Sequence, residues 1–130
     1  MKKKISKTNM CLLYNDEGKI LVMNRVKSDW PGLTFPGGHI LENEEIKTSV
    51  IREFYEETGL EISNLEFMGI KEWVNQLMVD RCYLYRTKTF RGDINSSIEG
   101  EVFWIDEEEI KNYSLSTDFI EIYNILKGMS

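Results

Sequence analysis

Apolar positions recur along this chain with two different periods, and the points where one gives way to the other mark its elements. Residues 8–14 and 19–26 are rich in β-formers and are separated by Asn15, Asp16, Glu17 and Gly18, so they predict a β-hairpin. Residues 28–39 hold both prolines and three of the nine glycines, which predicts a long shaped loop with a short strand near Leu33–Phe35. From Glu44 to Thr58 the period changes: Ile46, Val50, Ile51 and Phe54 fall at helical spacing, and Gly59 follows as a stop. Two β-rich runs over 65–74 and 77–90 come next, then a polar loop over 91–101, a strand over 102–106 and a helical turn over 106–113. Last is a helix in which Phe119, Ile122, Tyr123 and Leu126 share a face behind the capping candidates Ser116, Thr117 and Asp118. This order has no repeat or linker. It predicts one α/β domain over residues 1–130, a mixed β-sheet lying between helices.

An apolar share of 42%, with 12% aromatic residues, is enough for a real core in 130 residues. Charge changes the picture more. Sixteen Lys plus Arg against 22 Asp plus Glu give a net charge of −6, the wrong sign for gripping duplex nucleic acid by counterion release. A small anionic substrate stays compatible where bound cations invert the local field. The basic start precedes too short an apolar run for a signal peptide, and no stretch approaches a membrane span, so a cytoplasmic location is expected. Cys11 and Cys82 lack zinc-type spacing and are expected to be free thiols.

The helix pattern carries an anomaly. At about 100° per residue Glu53, Glu56 and Glu57 fall within one arc of roughly 100°. Glu57 lies between Ile46 and Val50 on the wheel, inside the apolar stripe, where a solvated surface helix would not put it. Like charges so placed call for a compensating cation: Arg52 for one carboxylate, and a hard divalent ion with oxygen ligands for the rest. A plain solvated acidic face is the competing reading.

The segment over residues 38–60 resolves that competition. Gly38, five residues, Glu44, seven residues, then Arg52, Glu53, Phe54, Tyr55, Glu56, Glu57, Thr58, Gly59 and Leu60 fit the Nudix box without a mismatch. The chain resembles Nudix hydrolases of the MutT-like branch, with "WPGLTFPGGH" like their entry loop and "GEVFWIDEEEI" like their late strand and turn. The resemblance implies the family's α/β/α sandwich, and Mg²⁺ or Mn²⁺ on the box helix. It implies Glu53, Glu56 and Glu57 as catalytic metal ligands, with Glu53 the first candidate to accept the water proton. Gly38 matches the position whose backbone carbonyl completes the metal shell, although a turn with positive φ would also explain a glycine there. Arg52 matches the residue that ties down a helix glutamate, and Glu44 suits a capping position near the helix dipole.

Arg25 and His39 resemble basic residues that face substrate phosphates. Glu101 resembles the distal glutamate that joins the metal site from across the cleft, with Glu99 as its competitor. Asp118 stands where relatives present a side chain to the base edge, in competition with a role as N-cap. Trp30, Phe35 and Trp104 are candidates for base stacking or for core. In the run Ile40–Glu44, Leu41 and Asn43 depart from the acidic residue and glycine common in relatives, and asparagine preserves a left-handed turn.

The activity implied is Mg²⁺-dependent hydrolysis of a nucleoside triphosphate, or a related nucleoside diphosphate derivative, to monophosphate and pyrophosphate. Sanitising of 8-oxo-dGTP is its most specific form, and the small nucleotide is the expected partner of a monomer or homodimer. No proline follows Pro36, against the pattern of ADP-ribose members, and "NQLMV" lacks the tyrosine of dinucleoside polyphosphate members. Capped RNA and a non-catalytic nucleotide sensor are the other readings. Sensors typically lose box carboxylates, and this chain keeps all of them.

Overall fold

Alternation along the first strand divides the core in two: Leu12 packs into one apolar cluster, Cys11 and Leu13 into another. The computed structural model describes residues 2–129; Met1 and Ser130, the ends of the expected 1–130 domain, lie outside the described residues. Its elements are β1 (Lys4–Leu13), β2 (Ile20–Arg25), β3 (Gly32–Thr34), β4 (Gly37–His39) and α1 (Ile46–Thr58), followed by β5 (Glu61–Ser63), β6 (Glu66–Val74) and β7 (Met78–Thr87). Then come β8 (Thr89–Arg91), β9 (Gly100–Ile105), a 3-10 helix over Glu107–Asn112 and α2 (Phe119–Leu126).

A four-stranded mixed sheet runs in the order β4-β1-β7-β6, a three-stranded antiparallel sheet in the order β3-β2-β9, and β5 pairs with β8. β1 and β7 are parallel, in register from Lys4↔Met78 to Leu13↔Thr87. α1 packs against β1, β4 and β5, and α2 against β6 and β7, giving the expected α/β/α sandwich.

The expected hairpin is corrected. Its turn forms, with Asn15 N–H on the Lys19 carbonyl and Gly18 N–H on the Asn15 carbonyl, both at 3.0 Å. Past a single bridge between Tyr14 and Ile20, however, the two strands part into different sheets. Turn chemistry is local, whereas the partner of β1 is decided by burial: apolar on both faces, β1 belongs inside a sheet beside the equally long β7.

α1 also begins later than its periodicity suggests. Asn43 takes the left-handed conformation (φ 66°), Glu45 occupies the N-cap, and Glu44 accepts the Leu41 N–H at 3.0 Å in the preceding turn, so Glu44 does not cap the helix. Gly59 ends the helix as expected, with φ 80° and its N–H on the Tyr55 carbonyl at 2.8 Å. Both cysteines are free and buried.

Candidate functional site

The short strand β4 sits at the edge of the mixed sheet, and its glycines let α1 come close. A Cβ on Gly37 would run into the Asn9 carbonyl of β1, and one on Gly38 into the Glu53 carboxylate. Neither glycine has positive φ, so close approach, and not a turn conformation, explains Gly38. Asn9 anchors the helix from beneath, its amide donating to Ser49 Oγ at 3.0 Å. The result is an open cleft of about 680 Å³ with Gly37, Gly38, Glu53, Glu56 and Glu57 at one end.

Glu57 is 6% exposed, as its place in the apolar stripe foretells. It accepts the Gly37 N–H at 2.7 Å and forms no ion pair with any described residue. Burial pushes its carboxyl up to about 7; the Gly37 bond opposes this, and the charges of Glu53 and Glu99 add to it. Burial also raises Glu53, against the pull of Arg52.

Arg52 is the hub of the acidic end. It donates to Glu44 at 2.8 and 3.0 Å, to Glu53 and Glu56 at 2.8 Å each, and to the His39 carbonyl at 3.0 Å. These partners hold its guanidinium protonated and the Glu44 carboxyl below its usual range. With Glu53 and Glu56 drawn to Arg52 and Glu57 to β4, no three His, Cys, Asp or Glu side chains converge as a ready-made metal cluster among the described residues.

Opposite α1, Arg25 and His39 line the cleft. Arg25 is already engaged, with Glu99 at 2.8 Å and Asp29 at 3.2 Å, and Lys27 reaches Glu99 at 2.9 Å. Glu99 lines the cleft, whereas Glu101 is exposed on β9 in register with Asn24, on the face away from the cleft. The preference for Glu101 is therefore corrected in favour of Glu99. A turn closed by Ser97 and Gly100 precedes β9, so strand alternation does not extend back to Glu99.

Asp118 neither lines the cleft nor caps α2 with its side chain. It stands in the left-handed conformation (φ 60°) and accepts the Trp73 indole N–H at 2.8 Å. Trp73 itself lines the cleft, edge to face with Trp30 at 5.2 Å between ring centroids. Phe35 is buried, stacked on Phe119 at 4.8 Å, and Trp104 packs on Phe90 outside the cleft. Trp73 and Asp80 escaped the sequence reading. Both belong to β-rich runs, and which face of a strand meets a cavity depends on sheet partners that the runs do not reveal.

Comparison with known proteins bears on the family and the fold. A family model described as NUDIX domain matches residues 6–124. The uncharacterized Nudix hydrolase YvcI of Bacillus subtilis is 27% identical over 118 residues, 86% of this chain and 73% of that protein. An 8-oxo-dGTP diphosphatase of Buchnera aphidicola is 31% identical over 97 residues, 73% of this chain and 72% of its own length. An RNA pyrophosphohydrolase of Cereibacter sphaeroides is 36% identical over 64 residues, 48% of this chain but only 40% of its own length. Among solved structures, the MutT protein of Bacillus halodurans superposes with a TM-score of 0.78 at 21% identity, covering 93% of this chain and 82% of that one.

Proposed function

The chain belongs to the Nudix family and is a hydrolase of compounds built on a nucleoside diphosphate, and from that premise we propose that it cleaves nucleoside triphosphates to monophosphate and pyrophosphate. The proposal covers residues 1–130 as one such domain with its box at 38–60, located in the cytoplasm. No helix among the described residues is long and apolar enough to cross a membrane. The observation that carries the reading is Glu57: a buried carboxylate without a cationic partner, beside Glu53 and Glu56 at the end of a cleft wide enough for a nucleotide.

The family works with divalent metal, and the residues here suit Mg²⁺. The available donors are all oxygen, which a hard cation prefers, and Glu57 is a buried carboxyl that Arg52 does not reach, whose ionised form a cation would stabilise. Glu53, Glu56 and Glu57, with the Gly38 carbonyl, would hold the ion, and Glu99 is the candidate from the facing loop. When bound, Mg²⁺ supplies charge neutralisation for the departing phosphate and acidifies water.

The chain's own groups do the rest. Glu53, lying against Gly38, accepts the proton of the attacking water. Arg52 fixes Glu53 and Glu56 and ties the β4 backbone to α1 through the His39 carbonyl. His39 and Arg25 face the cleft where phosphate charge must be met, Arg25 exchanging part of its contact with Glu99 for substrate. The preferred substrate is an oxidised purine nucleotide such as 8-oxo-dGTP, a reading supported by the name of the Buchnera relative.

Product release from a panel of nucleoside triphosphates, 8-oxo-dGTP, ADP-ribose and capped RNA tests the proposal. The expected result is pyrophosphate from the triphosphates with Mg²⁺, and a kcat/KM highest for 8-oxo-dGTP. Orthophosphate as the sole product, or cleavage of capped RNA alone, would overturn it.

A further inference from the structure

The end of the cleft away from the glutamates has a chemistry of its own. Asn9 and Cys11 face α1, so alternation along β1 turns Ser6, Thr8 and Met10 to the opposite face, and all three line the cleft. Asp80 of β7 stands in register with Ser6 on one side and with Trp73 of β6 on the other, which sets three cleft-lining side chains in one row. Met10 opposes Gly37, the residue bonded to Glu57, and Ser6 lies four residues further along the strand. At ~3.3 Å per residue this row is about 13 Å from the carboxylate end, a span that a nucleoside and its first phosphates cover.

Two features make the row a recognition surface. Trp73 is locked in place: Asp118 takes its indole N–H at 2.8 Å, the Lys71 ammonium sits 5.6 Å from its ring centroid, and Trp30 meets it edge to face. Asp80, by contrast, is only half-buried and neither hydrogen-bonds through its side chain nor forms an ion pair with another described residue. A carboxylate offers acceptors only. It is satisfied by a base edge that presents two adjacent N–H donors.

Guanine has such an edge, N1–H beside the 2-amino group, and 8-oxoguanine keeps it. Adenine and cytosine set one amino group beside a ring acceptor, and uracil sets its single N–H between two carbonyls. We propose that Asp80 is the residue that selects the base, accepting both donors of a guanine-type edge while the ring packs against Trp73. The Ser6 and Thr8 hydroxyls, on the same wall, are placed to donate to the guanine O6. Asp118 is then a positioning residue that acts through Trp73. The inference rests on the reading of this cleft as a nucleotide site.

The test is equilibrium binding with Mg²⁺, followed by calorimetry, of GMP, IMP and AMP to the wild type and to Asp80→Asn and Asp80→Leu. IMP differs from GMP only in lacking the 2-amino group. The wild type is expected to bind GMP about 10- to 100-fold more tightly than IMP, the range of a charge-assisted hydrogen bond. Both variants, with unchanged circular dichroism, are expected to lose that preference, and IMP, whose N1–H also bonds Asp80, is expected to weaken as well but by less than GMP. Equal affinities in the wild type, a GMP preference that survives in both variants, or no binding of any of the three would overturn the assignment. Because binding is read without turnover, GMP-selective binding in a protein that hydrolyses no triphosphate would refute the triphosphate-cleaving reading and leave Asp80 in its role.

Discussion

α1 buries Ser49, Glu57 and Thr58 along with Val50 and Phe54, whereas α2 buries Phe119, Ile122, Tyr123 and Leu126. Both helices cover a sheet, but their inner faces differ in kind. Two of the buried polar groups on α1 are neutral and satisfied within the helix: Ser49 donates to the Ile46 carbonyl at 2.6 Å and Thr58 to the Phe54 carbonyl at 2.7 Å. Glu57 has one neutral N–H to offset a full charge, and a buried carboxylate so served costs stability. α2 therefore stabilises the fold throughout its inner face, whereas α1 carries one buried charge that costs stability at the end of the cleft.

The largest expected effect lies on α1. Glu57→Gln keeps the shape and the Gly37 contact but removes the charge, and turnover should fall about 1000-fold, near 4 kcal/mol in activation free energy, with melting temperature unchanged or higher. A purified variant with wild-type kcat/KM would put the reaction elsewhere. On α2 the expectation reverses. Leu126→Ala empties a fully buried position and should cost about 3 kcal/mol of stability, leaving kcat/KM below the melting transition within about threefold. If denaturant unfolding showed Leu126→Ala harmless, or activity fell as steeply as for Glu57→Gln, the division between the helices would not hold.

A smaller effect tests the approach of β4 to α1. A methyl group on Gly38 must displace the Glu53 carboxylate, so Gly38→Ala should lower kcat/KM about 30-fold while shifting the denaturation midpoint little, because Glu53 has open cleft to move into. Full activity in this variant would show that the position of Glu53 against β4 is immaterial.

How far each region was readable from sequence follows the same line. The α1 residues are local: periodicity alone put Glu57 in the apolar stripe, and box spacing picked out Glu53, Glu56 and Arg52. Asn43 and Gly59 likewise take the left-handed conformations that their residue types suggest. What escaped is set by distant pairing. β1 left its hairpin partner for β7, Asp80 and Trp73 reached the cleft only through the register of β6 and β7, and the turn before β9 exchanged Glu99 for Glu101. Asp118 looked like a cap or a base reader because its partner Trp73 is 45 residues away.

The smallest effect reads the cost of Glu57 directly, through pH. Its carboxyl stands near 7 in the folded, metal-free protein against an ordinary value of 4.5, so between those values the folded state binds more protons than the unfolded state. Stability then falls as pH rises. The contribution is fully present below about 4.5 and is lost as pH climbs through about 7; for this one group it amounts to about 2 kcal/mol between pH ~5.5 and ~7.5. Glu53 is raised as well and acts in the same direction, while Glu44 and Glu107, both lowered, lose their contributions only in more acid solution. Urea unfolding in EDTA should show this decline in the wild type and a shallower one in Glu57→Gln, with the two proteins closest in stability at the acid end. Saturating Mg²⁺ should flatten the wild-type profile, because an ion that needs ionised carboxylates stabilises the fold most where Glu57 is charged. A wild-type profile already flat in EDTA would mean that Glu57 is not the strained charge on α1, and that the two helices differ in composition but not in energetic role.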